Sequence, residues 1–172
     1  MSRFGFNGLT GAVATLIALG ACSAAPTPAP AQADAQAESD VDWRDVPLAS
    51  GTWIYREDDR GSLALYGEPD SDAVFLVRCN MADRRIYFSL AGAMTSGSGT
   101  MAFQATHGER SYAARNGSGA SPYIVAATDA TDDYLDMIAF SRGRIAITVS
   151  GQSLVAVPNW PEMTRIFEDC RA

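Results

Sequence analysis

From Ala73 to Ala91 the chain reads AVFLVRCNMADRRIYFSLA, and this stretch decides the fold class. Its first part, Ala73 to Cys79, is a continuous apolar run, as expected for a central strand covered on both faces. Its last part, Arg85 to Ala91, alternates and places an isoleucine, a phenylalanine and a leucine on one face. Asn80 to Arg84 suit a hairpin loop, so the stretch predicts two antiparallel strands.

The sequence on either side repeats this pattern of short apolar runs broken by Gly, Asp, Asn and Pro. Thr100 to Thr106 and Arg110 to Ala114 flank a short turn and predict a second hairpin. Arg144 to Ser150 and Ser153 to Pro158 predict a third, in which Gly151-Gln152 makes a two-residue turn with glycine first. Strands at this spacing predict a mainly β fold, either an antiparallel β-sandwich or a partly open barrel.

Two segments have helical periodicity and complete the predicted fold. The first, Thr131 to Phe140, begins with a capping residue and an acidic first turn, which predicts one short inserted helix. The second, Asn159 to Cys170, predicts a C-terminal helix because Pro161 falls in its first turn. Its apolar residues lie on one face; they are Met163, Ile166, Phe167 and Cys170.

The first 22 residues have the features of an export signal. Arg3 supplies one positive charge, and Leu9 to Leu19 form an uncharged apolar stretch that is short of the roughly 20 residues a bilayer span needs. The following Leu19-Gly20-Ala21-Cys22 resembles the lipobox of bacterial lipoprotein precursors. The resemblance implies that residues 1–21 are a signal peptide and that Cys22 becomes the lipidated N-terminus. A plain secretory signal cut near Ala24, or an uncleaved anchor, are the alternatives.

Downstream of Cys22 the chain divides into a tether and a domain. Residues 22–40 are rich in Pro and Ala and contain almost no large apolar side chains, which predicts a disordered tether. Residues 41–172 predict a single β-rich globular domain, large enough to build a core. The lipobox resemblance implies a cell-envelope location with the protein held to a membrane by its lipid. Ser23, rather than Asp, follows the cysteine, which favours the outer membrane facing the periplasm.

The charge balance limits the partners that this domain can have. The chain has thirteen arginines and no lysine against twenty acidic residues. Loss of Arg3 with the leader leaves a net charge of about −8. An acidic surface disfavours binding to nucleic acid and to anionic lipid, and it is compatible with a soluble monomer.

Two cysteines, Cys79 and Cys170, remain once Cys22 is lipidated. In an exported protein such a pair predicts a disulfide, which would close a loop of about 90 residues and contribute roughly 4–5 kcal/mol by chain entropy. Two buried free thiols are the alternative. No Cys-x-x-Cys motif is present, so the sequence does not indicate redox catalysis.

Few residues are candidates for chemistry, and the sequence predicts no catalytic residue, no metal site and no cofactor. The single histidine, His107, falls in a predicted turn. An acidic group could hold a cation or act as paired carboxylates, but its position favours capping the inserted helix and facing water; its members are Asp129, Asp132, Asp133 and Asp136. Arg142 and Arg144 could bind an anionic ligand, or they could pair with the nearby aspartates.

The sequence therefore favours a non-enzymatic binding or structural module that meets another envelope protein. The alternative is an inhibitor of an envelope-active enzyme such as a lysozyme, which would need an exposed loop; Gly92 to Gly99 is a candidate. A hydrolase using Asp132, Asp136 or His107 is the least favoured hypothesis. The three tryptophans are predicted to be packing residues at the domain edges; they are Trp43, Trp53 and Trp160.

Overall fold

The computed structural model describes residues 42–172 of the chain. The predicted signal peptide, Cys22 and the tether lie outside the described residues. Nine antiparallel strands form one sheet in the order β1-β2-β3-β4-β7-β6-β5-β8-β9. The elements are β1 (Thr52–Asp58), β2 (Gly61–Gly67), β3 (Phe75–Asn80), β4 (Arg85–Ala91), β5 (Ser98–Ala105), β6 (Gly108–Asn116), β7 (Tyr123–Asp129), α1 (Tyr134–Ala139), β8 (Arg144–Val149), β9 (Val155–Pro158) and α2 (Pro161–Arg171).

This architecture confirms the mainly β prediction, with one short inserted helix and a C-terminal helix. Of the two predicted forms, the single curled sheet corresponds to the partly open barrel. The three predicted hairpins are present as β3–β4, β5–β6 and β8–β9. The sequence did not predict the long-range pairing of β4 with β7, which places the β5–β6 hairpin beyond β7 in the sheet.

Both helices pack on one face of the sheet, which we call the inner face. Cys170 of α2 is disulfide-bonded to Cys79 of β3, and this confirms the predicted pair. Phe167 of α2 packs 6.4 Å from Phe88 of β4, centroid to centroid. The predicted apolar face of α2 is fully buried against β1–β4. The hydrophobic core therefore lies between the inner face and the two helices.

Strand β3 corrects the prediction of a strand covered on both faces. Phe75, Val77 and Cys79 are fully buried on the inner face, whereas Leu76 and Arg78 are only half-buried on the outer face. Arg78 is tolerated there because its guanidinium forms two 2.8 Å hydrogen bonds with the carboxylate of Asp58 on β1. A continuous apolar run therefore did not distinguish a covered face from a half-exposed one.

The connection between β8 and β9 also differs from the prediction of a two-residue turn. The strands end and begin at Val149 and Val155, so the connection is five residues long. The N–H of Gln152 donates to the carbonyl of Val149, and Gly151 has a φ of 78°. Glycine thus occupies the third position of the turn, where a positive φ is required, and not the second position of a II′ turn.

Residues 46–53 pass from one edge of the sheet to the other, and we call them the strap. Leu48 forms a parallel bridge with Ala156 of β9, the edge strand at one end of the sheet. The strap then leads into β1, the edge strand at the other end. The indole Nε1 of Trp53 donates a 2.8 Å hydrogen bond to the carbonyl of Pro158, which connects β1 with β9. The two sheet edges therefore meet along a seam.

Candidate functional site

A groove of about 690 Å³ lies beside the seam, between β1, the end of α1 and the start of α2. It is lined by Tyr55, Ala139, Ser141, Asn159, Trp160, Pro161, Glu162, Thr164, Arg165 and Glu168. These residues come from segments that are separated by up to about 110 positions along the chain. Grooves of this size that combine apolar and polar side chains are the usual places where proteins bind ligands or partner side chains.

The three residues Asn159-Trp160-Pro161 shape one wall of the groove. Asn159 follows β9, and its Nδ2 lies 3.0 Å from the carbonyl of Ile138 and 2.7 Å from that of Ser141. This contact ties the start of α2 to the end of α1. Pro161 begins α2, and Trp160 before it has an extended backbone. The side chain of Trp160 is consequently 43% exposed at the groove.

A second exposed aromatic residue is next to groove-lining residues in the chain. Phe140 lies between two residues that line the groove, and it is 74% exposed. Aromatic side chains are enriched at protein interfaces relative to the rest of the surface. The prediction that all three tryptophans are packing residues is therefore wrong for Trp160, although Trp53 is 5% exposed and does pack in the core.

The floor of the groove is built around Tyr55 of β1. Its hydroxyl lies 2.6 Å from Glu57 Oε1 and 2.8 Å from Asp169 Oδ2. The guanidinium of Arg165 covers its ring at 3.9 Å from the centroid. Burial and the two neighbouring carboxylates raise the pKa of Tyr55 well above its ordinary value. Tyr55 therefore stays neutral at physiological pH, and its one hydroxyl hydrogen is donated to these carboxylates.

Asp132, a candidate from the predicted acidic group, does not line the groove and is saturated by hydrogen bonds. It accepts from the Thr128 hydroxyl at 2.6 Å, the Tyr112 hydroxyl at 3.0 Å, the Arg110 guanidinium at 3.1 Å and the N–H of Tyr134 at 2.9 Å. Burial raises the pKa of Asp132, but these hydrogen bonds outweigh it and hold the pKa below its usual range. A carboxylate with four donors holds the first N–H of α1 and links this helix to β6 and β7.

The side chains of Asp133 and Asp136 are more exposed than that of Asp132, and each forms an ion pair with an arginine. Asp133 binds the same Arg110 at 3.0 Å, and Asp136 binds Arg171 of α2 at 2.6 Å. Within residues 42–172 no group of three His, Cys, Asp or Glu side chains is arranged to hold a metal ion. His107 is exposed in the two-residue turn between β5 and β6.

Arg142 and Arg144 have different exposure and different contacts. Arg144 is half-buried, and its guanidinium donates to the carbonyl of Val46 in the strap. Arg142 is exposed, and its backbone N–H donates to the Thr106 hydroxyl at 3.0 Å. The aspartates near them pair with Arg110 and Arg171 instead. Binding of an anionic ligand by Arg142 and Arg144 stays a prediction.

The loop from Gly92 to Gly99 is anchored at Met94. This side chain is 3% exposed, and the Asn116 side chain holds its backbone by two hydrogen bonds. One runs from the Met94 N–H to Asn116 Oδ1 at 2.8 Å, and the other from Asn116 Nδ2 to the Met94 carbonyl at 2.9 Å. Residues 95–98 beyond the anchor are exposed. The loop thus presents an exposed tip on a fixed base.

Comparisons with known protein families, with curated proteins and with solved structures gave no significant match for this chain. In the part of the chain that the structure describes, neither helix has the length and apolar character needed to cross a bilayer. Sequence reasoning missed Tyr55, Asn159 and Trp160 as site residues. For Trp160 a local signal was present, because it directly precedes the proline that starts α2; Tyr55 and Asn159 had no such signal.

Proposed function

We propose that the protein is a lipid-anchored lipoprotein of the cell envelope that binds another envelope protein without catalysing a reaction. The groove beside the seam supports this function, because the exposed Trp160 lines it and the exposed Phe140 lies between two of its lining residues in the chain. The lipobox and the tether support the anchor at Cys22 and a position from which the domain can reach partners in the periplasm.

The binding role predicts a specific loss on truncation of the aromatic pair. Affinity capture from solubilised envelope should recover a stoichiometric protein with the wild-type chain and lose it with Phe140→Ala and Trp160→Ala combined. Met81→Ala is the matched control, since Met81 is 44% exposed on a different loop. A partner that is captured equally by the wild type, the double variant and the control would show that the groove is not the binding surface.

The anchor is tested separately, by incorporation of labelled fatty acid in the producing cell. Wild-type protein should take up label, and Cys22→Ala should not. Uptake by the alanine variant would contradict lipidation at Cys22, whatever the groove binds.

Inhibition of an envelope-active enzyme is the second candidate, and the anchored loop favours it. A loop whose base is fixed by Asn116 loses little conformational entropy when its tip enters a cleft. Purified protein should then slow bacterial cell-wall lysis by a lysozyme at stoichiometric ratios, and Asn116→Ala should weaken the effect. Unchanged lysis at a molar excess of protein would exclude this candidate for the lysozyme that is assayed.

A further inference from the structure

The groove beside the seam is surrounded by negative charge. Glu162 and Glu168 line it, and Glu57 and Asp169 contact its floor through the Tyr55 hydroxyl. The positive charge of Arg165 partly offsets these four carboxylates. Its guanidinium lies over the Tyr55 ring and 3.8 Å from Glu57. The potential in the groove is therefore negative, and a low-dielectric wall such as the Trp160 ring strengthens it.

Two acceptor atoms at the groove are without donors. Oε2 of Glu162 and Oδ1 of Asn159 are buried, and neither has a hydrogen-bond partner among residues 42–172. A partly desolvated carboxylate without a counter-charge is unfavourable, and a nearby cation offsets that cost. The Glu162 carboxylate and the net negative charge of the groove therefore both favour the binding of a cation.

We infer that the groove binds a Lys- or Arg-bearing segment of the partner protein, with the cation beside Glu162 and Glu168 and the apolar stem along Trp160. This inference rests on the proposed binding function and adds the chemistry of the partner. Long basic side chains combine an apolar stem with a charged head, which matches an aromatic wall next to carboxylates. A second copy of this chain fits poorly, because it carries the same net charge of −7 and would be repelled.

The experiment uses the mature chain, residues 22–172, with Cys22→Ser in place of the lipid. The probe is the peptide acetyl-Lys-Leu-Lys-Leu-Lys-amide, and acetyl-Glu-Leu-Glu-Leu-Glu-amide is its acidic counterpart. Binding is followed by the NMR signal of the Trp160 indole N–H, assigned from its disappearance in Trp160→Phe. We expect the basic peptide to shift this signal saturably, and to bind at least about tenfold more tightly than the acidic one.

Charge-neutral variants test the carboxylates themselves. Glu162→Gln and Glu168→Gln combined should weaken the basic peptide about tenfold, as expected for two partly exposed ion pairs at about three- to fivefold each. Glu68→Gln and Glu109→Gln combined, which neutralise two exposed carboxylates elsewhere, should leave the affinity unchanged. Raising the salt concentration should weaken wild-type binding and have less effect on the groove variant.

The outcomes separate this inference from the proposed function. Equal affinity for both peptides, or affinity unchanged by Glu162→Gln and Glu168→Gln, overturns the basic-segment inference. If the aromatic double variant still loses the envelope partner in that case, the binding function stands with a partner of different chemistry. If the aromatic variant also retains that partner, the groove is not the binding surface and both proposals fail.

Discussion

Removal of the Cys79–Cys170 disulfide should lower the stability of the domain without releasing α2. The bond joins residues 91 positions apart. In the chain-entropy description, opening a loop of this length lowers the free energy of unfolding by about 4–5 kcal/mol at 25 °C. For a domain of this size, 1 kcal/mol corresponds to about 3–4 °C in Tm, so the melting temperature should fall by about 16 °C.

The helix should stay docked because its apolar face remains buried. Met163, Ile166 and Phe167 are at most 1% exposed, and burial of each stabilises the docked helix by about 1.5–3 kcal/mol. Removal of the disulfide therefore lowers stability by raising the conformational entropy of the unfolded chain, and it leaves the native contacts of α2 in place. The native near-UV circular dichroism of the reduced protein should be retained at 25 °C.

Urea unfolding of the mature Cys22→Ser chain, oxidised and reduced, measures the effect with both sulfur atoms still present. The double variant Cys79→Ala and Cys170→Ala should give a similar loss of stability. A fall of less than about 2 kcal/mol would refute the loop-entropy reasoning. Loss of the near-UV signal on reduction would instead show that the bond, and not apolar burial, holds α2 in place.

Three further variants test the contacts that position the site elements. Asp132→Asn should cost about 2–3 kcal/mol at pH 7. Since hydrogen bonds lower the folded pKa of Asp132, its contribution is fully present above the ordinary pKa of 3.8 and is lost as the pH falls through the lower folded pKa, so the difference in urea unfolding between variant and wild type should shrink as the pH is lowered below 3.8. Tyr134→Phe removes the hydroxyl that bonds the carbonyls of Phe103 and Gly108, and should cost about 1 kcal/mol. Burial raises the pKa of Tyr134 to about 12, so its stabilising effect should be full below pH 10 and decline as the pH rises towards 12, which urea unfolding at alkaline pH can follow. Asn116→Ala should raise amide hydrogen exchange at Met94 and Gly97, whereas Ser118→Ala should not; equal exchange in both would exclude the side-chain anchor of the loop.

Local pattern was sufficient for the elements of this fold and insufficient for their arrangement. The hairpin of β3 and β4, the closing helix and its cysteine all follow from periodicity and turn residues close in sequence. The order of the strands does not, since the pairing of β4 with β7 depends on edges that only the folded chain brings together. The continuous run at β3 was misleading because Leu76 is apolar although its face is only half-covered.

The candidate site was harder to predict for a related reason. Tyr55 looks like an ordinary strand residue, and Asn159 looks like a helix cap. Asn159 in fact bonds the carbonyls at the end of α1, about 20 positions earlier in the chain. The groove exists only where the seam brings β1 beside the α1–α2 junction. The hydrogen bond of Arg144 could not be predicted from local pattern either, because its partner in the strap is 98 residues away.

The strap also determines where the domain would yield to mechanical load. Any pull transmitted through the chain before residue 42 reaches the strap first, where the Leu48–Ala156 bridge and the Arg144–Val46 hydrogen bond resist it. These contacts are few and can break one after another, whereas the β1–β2 ladder behind them holds seven residue pairs. Tension on the N-terminal side of the domain would accordingly peel the strap from β9 before it unfolds the sheet, and the seam beside the groove would be the first part of the domain to open.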